Sequence, residues 1–197
     1  MSRLVLASSS RYRRQLLDRL DLSYQWAAPD IDEARRAGED AVTLAHRLAL
    51  SKAQAVAADY PDHLIIGSDQ LALFEGDMLG KPGDFDTACA NLRRFSGHQV
   101  SFMTGLALID TGAGRHRVVH DTYHVWFRDL SDEEIESYVS RDQPYDSSGS
   151  FRMEGLGIAL FQRFEGNDPN TLIGLPLIKL CELLREAGLN PLAGQGN

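Results

Sequence analysis

The chain has 197 residues, 43% of them hydrophobic and 24% charged, with a formal net charge of -8. This size and balance suit a single folded domain over residues 1–197, and the acidic surplus argues against a broad basic face for a nucleic-acid polymer. No apolar run approaches the roughly 18 residues of a membrane span, the first one is too short for a signal-peptide core, and the two cysteines, Cys89 and Cys181, read as reduced thiols in apolar helices; the expectation is a cytoplasmic protein without a membrane partner.

Residues 3–7 read as a short buried strand, residues 8–10 as a small polar loop, and residues 11–20 as a helix with Leu16, Leu17 and Leu20 on one face. A second strand is predicted over 22–28. Residues 29–38 form an acidic loop carrying Asp30, Asp32 and Glu33, and 40–58 form a long Ala-rich helix. Residues 63–68 suit a central strand. Glu75-Gly76-Asp77, flanked by the apolar stretches 71–74 and 78–79, signals a hairpin. A helix over 84–95 stops at Gly97. Strands follow at 100–109 and 116–127, joined by Thr111-Gly112-Ala113-Gly114. Ser131-Asp132-Glu133-Glu134 is a capping box opening a helix to about Ser140. A polar stretch leads to Phe151-Arg152-Met153-Glu154-Gly155, then a strand over 157–164. Pro176 suits the first turn of a last helix that ends before Gly188. No repeat and no linker divides the chain. Helices alternating with strands, some joined by crossovers and some by hairpins, predict an α/β fold on a mixed β-sheet.

Three segments carry chemistry. The first is Leu6-Ala7-Ser8-Ser9-Ser10-Arg11-Tyr12-Arg13-Arg14. A strand feeding a helix through small residues leaves backbone N–H groups for an anion, and Arg13 can add a forked phosphate contact. The same residues also read as a serine cap followed by solvated arginines, and the glycine spacing of a P-loop is absent. The second is Leu64-Ile65-Ile66-Gly67-Ser68-Asp69-Gln70, which puts Asp69 at the carboxyl end of the predicted strand. A carboxylate there can hold a divalent metal or take a proton from water, with Asp32 and Glu33 as further oxygen donors; the plainer alternatives are a strand-end Asp and a solvated acidic loop. The third is Gly80-Lys81-Pro82, a cation on a tight loop, to which Lys52 can be added. His116, His120 and His124 recur every four residues, but their neighbours predict a strand. Four strand residues span about 13 Å, which separates them too widely to share one ion.

In this order the segments resemble the Maf family of nucleoside triphosphate pyrophosphatases, from Leu4 to about Leu192. The match takes in Glu33, Lys52, Phe95-Ser96-Gly97, Gly149-Ser150-Phe151, Gly155 and Gly174-Leu175-Pro176 as well. Gly67-Ser68-Asp69-Gln70, Ser150-Phe151-Arg152-Met153-Glu154-Gly155, Asp168-Pro169-Asn170 and Asn190-Pro191-Leu192 resemble the branch acting on 7-methyl-GTP. That branch often carries Trp where this chain has Tyr12, and small apolar residues where it has Ser147-Ser148. The resemblance implies an elongated mixed sheet with flanking helices and two lobes around a cleft, like that of inosine triphosphatase. It also implies metal-dependent hydrolysis of a nucleoside triphosphate to a monophosphate and pyrophosphate, a nucleotide-pool cleansing activity. The divalent cation would be Mg²⁺ or Mn²⁺, and a homodimer would be possible. By position, Asp69 with Lys52 and Lys81 would be catalytic, and Glu33 with Asp69 would face the metal. Ser8, Arg13, Tyr12, Gln70 and Glu154 would bind substrate, the last three selecting the base. Two alternatives stay open: a dTTP or UTP pyrophosphatase of the same family, and a nucleotide-binding regulator of cell division without turnover.

Overall fold

A computed structural model of the chain describes residues 3–193. It contains seven strands, β1 Leu4–Ala7, β2 Gln25–Ala27, β3 Leu64–Phe74, β4 Asp77–Leu79, β5 Gln99–Asp110, β6 Arg115–Phe127 and β7 Phe161–Gly166. The helices are α1 Arg11–Asp18, α2 Ala41–Ala57, α3 Phe85–Phe95, α4 Asp132–Asp142 and α5 Leu177–Glu186, with 3-10 turns at Leu156–Leu160 and Pro169–Leu172. The strands form one mixed sheet in the order β2-β1-β3-β5-β6-β7, with β4 paired to β3. β1 runs parallel to β2 and β3, whereas β4 pairs antiparallel with β3 and β7 antiparallel with β6.

The chain divides into two compact units. The first comprises 1–69, 104–121 and 168–197; the second comprises 70–103 and 122–167. In the first unit the central strands are buried on both faces, which explains their unbroken apolar runs. Leu4, Leu6, Leu64 and Ile66 meet Leu16 and Leu17 of α1 and Leu177, Leu180, Leu183 and Leu184 of α5. Val5, Ala7 and Ile65 point the other way, toward Ala53 and Val56 of α2. The helix starts follow capping chemistry, Ser10 accepting from the Arg13 N–H and Asp40 from that of Thr43. α5 borrows its cap from a distance: Asp168 accepts from the backbone of Ile178 and from both nitrogens of Asn170.

In the second unit α3 and α4 are joined by Arg93, which pairs with Asp132 and Glu136. The core is aromatic. Phe151 packs edge-on against Phe102, Phe127 and Phe161, with ring centroids 4.8–5.8 Å apart.

Two strand predictions change. The stretches 63–68 and 71–74 are one strand of 11 residues. The polar residues Ser68 and Asp69 do not end it, because each finds a buried partner. Residues 157–160, expected as strand, form a 3-10 turn, and β7 begins only at Phe161. The reason is Gly157, where a Cβ would lie 2.3 Å from the Arg152 carbonyl oxygen, so the backbone folds back on itself there. His116, His120 and His124 lie on β6 as the alternation predicts. His120 meets His46 at 2.9 Å, and His124 meets Gln99 and Ser101 at 2.8 Å. Cys89 is buried, Cys181 is half-buried, and both are free.

Candidate active site

α2 lies unusually close to the sheet. A Cβ on Gly67 of β3 would sit 2.1 Å from the Ala49 carbonyl oxygen, and one on Gly105 of β5 would sit 2.3 Å from that of Ala45. Glycine in the strands and alanine in the helix let backbone touch backbone. Along β3 the side chains alternate, so Asp69 shares the α2-facing side with Gly67. That register brings Lys52 of α2 to Asp69.

The Lys52 ammonium donates to Asp69 Oδ1 at 2.6 Å and pairs with Glu33 Oε1 at 2.7 Å. Lys52 and Asp69 are each only 7% exposed, whereas the Glu33 side chain is 58% exposed. A buried pair is thus extended to solvent by a third, wetter charge. Asp69 therefore sits in the middle of a long strand, where the expectation had placed it at a strand end. Its position is fixed by a helix alongside the strand, a neighbour that strand-end logic does not supply.

Arg13 approaches the same charges. Burial lowers its pKa from the ordinary guanidinium value, while Asp69 and Glu33 act in the opposite direction; the group keeps its charge. It donates to the Gly174 carbonyl at 2.8 Å and lies 3.5 Å from the Ser8 hydroxyl. Fewer amides are left at the start of α1 than expected. The Ser8 N–H bonds the Leu6 carbonyl, the Ser10 N–H bonds the Ser8 hydroxyl, and the Ser10 side chain takes the Arg13 N–H. Tyr12 lies on the same helix with the Arg11 guanidinium 4.7 Å over its ring and bonded to its hydroxyl at 2.8 Å. One face of the ring therefore already holds a cation.

The structure thus brings Ser8, Arg13, Glu33, Lys52 and Asp69 together in the first unit. Gln70, Lys81 and Glu154 belong to the second. Gln70 follows Asp69 on β3. Lys81 is exposed on its loop, which is tied by the Gly83 N–H to the Tyr145 carbonyl at 3.1 Å. Glu154 is exposed in a turn between Arg152 and the 3-10 segment.

Three supporting contacts escaped the sequence reading. Ser68, fully buried, reaches the carbonyls of Gly105 and Gly174 at 3.0 and 2.9 Å. The irregular loop bearing Glu33 is pinned to α2 by Arg47, which pairs with Glu39 and donates to the Ala34 carbonyl at 2.9 Å. The hydrogen bond from Arg47, seconded by the Arg36 backbone N–H, holds the Glu39 carboxyl down to about 2. The third is Arg152, which donates to the Asp142 and Gln143 carbonyls. An arginine five residues from a lysine on a helix gives no hint of a loop staple.

Among the described residues no group of three or more His, Cys, Asp and Glu side chains is arranged to hold a metal ion. Asp69 and Glu33, gathered by one ammonium, are a two-carboxylate oxygen set. Mg²⁺ is commonly held by one or two carboxylates plus substrate phosphates, so these residues fit such a cation.

The profile of Maf-like proteins matches residues 3–187. The chain belongs to the Maf family. A relative in Chromohalobacter salexigens, named 7-methyl-GTP pyrophosphatase, is 68% identical over 192 residues, covering 98% of this chain and all of that one. Two solved structures align with part of the fold. The Ham1 protein of Staphylococcus aureus has a TM-score of 0.44 at 14% identity and covers 64% of this chain and 72% of its own. A HAM1 protein of Coxiella burnetii has a TM-score of 0.44 at 18% identity and covers 64% and 73%. Among the described residues no helix is long and apolar enough to cross a membrane.

Proposed function

We propose that this Maf protein hydrolyses a nucleoside triphosphate between its α- and β-phosphates, releasing a monophosphate and pyrophosphate, and that its substrate is 7-methyl-GTP. The observation that carries the reaction is the buried Asp69–Lys52 pair joined by Glu33, with Arg13 beside it. The name of the Chromohalobacter relative supports the substrate.

Water attacks the α-phosphorus, a P–O bond forms, and the bond to the bridging oxygen breaks with its electron pair leaving on pyrophosphate. Asp69 receives the proton that the water gives up, and Lys52 holds that carboxylate in place through its 2.6 Å hydrogen bond. Arg13 and Lys81 bind phosphate oxygens. Asp69 and Glu33 would hold a divalent cation, Mg²⁺ or Mn²⁺, which would screen the triphosphate charge and acidify a water. Glu154 accepts the two adjacent N–H donors on the guanine pairing edge. Its negative charge suits a ring made cationic by N7 methylation, and Tyr12 offers an aromatic face worth about 0.5–2 kcal/mol to such a cation. With Arg11 on one side of that ring, the base stacks on the other. The two free thiols suit a cytoplasmic site of action.

Pyrophosphate release from 7-methyl-GTP, GTP, dTTP and UTP, each with and without Mg²⁺, tests this reading. Release led by 7-methyl-GTP and dependent on the cation is expected, and Asp69→Asn should lower it by at least about 100-fold. A pyrimidine preference would overturn the substrate; a fully active Asp69→Asn would remove that carboxylate from the mechanism.

A further inference from the structure

The turn holding Glu154 is braced on several sides, and the bracing converges on Arg152. Its guanidinium donates to the Asp142 carbonyl at 2.6 Å, the Gln143 carbonyl at 3.1 Å and the Asp146 carboxylate at 2.6 Å. The first two lie at the end of α4, where carbonyls lack helical partners. Its backbone N–H is bonded at 3.0 Å by the Tyr138 hydroxyl, which itself donates to Asp142 at 2.7 Å. Its carbonyl is the atom against which Gly157 packs. Asp146 lies one residue from Tyr145, whose carbonyl ties down the Lys81 loop. The bond from Arg152 holds the Asp146 carboxyl below the ordinary carboxylate range, and Lys81 adds a smaller pull in the same direction.

We propose that Arg152 is a positioning residue for base selection: through Asp146 and the end of α4 it fixes the turn that presents Glu154 and couples that turn to the Lys81 loop. Arg152 touches no substrate. It acts by removing the freedom of a surface carboxylate that has to meet two N–H groups at once, so that little ordering is left for the moment of binding. Being planar and forked, the guanidinium reaches three acceptors from its two terminal nitrogens, which a lysine ammonium does not reproduce. This inference rests on the assignment of Glu154 to the guanine edge.

The test compares kcat and KM for 7-methyl-GTP and for 7-methyl-ITP, which lacks only the 2-amino group, in wild type, Arg152→Ala, Arg152→Lys, Asp146→Asn and Glu154→Gln. Wild type should prefer the guanine nucleotide, and Glu154→Gln should lose that preference. Arg152→Ala should lose about tenfold of it, mainly through KM for 7-methyl-GTP, with kcat for 7-methyl-ITP retained. Arg152→Lys should recover part. Asp146→Asn, which leaves both α4 contacts in place, should move the same ratio and answers the question if Arg152→Ala fails to fold. Equal losses on both nucleotides, or an unchanged ratio in Arg152→Ala and Asp146→Asn beside a collapsed one in Glu154→Gln, would overturn the role of Arg152 alone. An unchanged ratio in Glu154→Gln would overturn the base assignment and this inference with it.

Discussion

Lys52 is the residue on which the site turns, because one ammonium serves two carboxylates of very different exposure. Its pair with Asp69 is buried, so removing Lys52 leaves the Asp69 charge out of water without its partner, a loss of about 3–5 kcal/mol. Its pair with Glu33 is open to solvent and contributes little to stability. Lys52→Met should therefore lower the unfolding free energy by about 3 kcal/mol in a denaturant titration. Glu33→Gln should change it by less than about 1 kcal/mol. Adding Asp69→Asn to Lys52→Met should restore much of the lost stability, because the stranded charge goes with it, while leaving the protein inactive. A double variant as unstable as Lys52→Met would show that packing of the lysine stem, not its charge, was lost.

At the scale of elements, two devices hold this residue in place: close contact between α2 and the sheet, and the staple from Arg47 to Glu39. A methyl group at position 67 meets the Ala49 carbonyl at 2.1 Å, so Gly67→Ala forces α2 away from β3. The expected cost is about 1–3 kcal/mol, together with a fall in kcat as Lys52 withdraws from Asp69; urea unfolding and steady-state rates would check both. The staple has a pH signature. The folded Glu39 carboxyl ionises at about 2, below its unfolded value, so its contribution is fully present above pH 5 and is lost as pH falls through 2. The gap in Tm between wild type and Glu39→Gln should thus be widest near neutrality and close between pH 5 and pH 2. A gap that stays constant over that range would mean the carboxylate charge is not what holds the loop.

Across the whole molecule, the order of elements was readable because helices and strands announce themselves by period and by caps, as at Ser131. The sheet order was not, since β1 pairs with β3, whose partner residues lie far away in sequence, Leu4 opposite Leu64. Strand length at Asp69 was misjudged because polarity was taken as an end signal; Ser68 and Asp69 continue the strand since their partners come from other elements. Of the nine candidate site residues chosen by type and family likeness, five meet in the first unit. Lys52 standing over Asp69 could not be read from a lone lysine on a helix. Arg47 and Arg152, each of which reaches a backbone carbonyl as well as a carboxylate, leave no mark in the residue pattern.

The two glycines under α2 have a consequence for any survey of variants. Positions 67 and 105 touch no reacting atom and bear no functional group, yet neither leaves room for a methyl. In a library of all single substitutions selected for activity, they should be as intolerant as position 69. Read from such a library alone, they would be filed with the chemical machinery. What selection guards there is a distance of closest approach between two stretches of main chain.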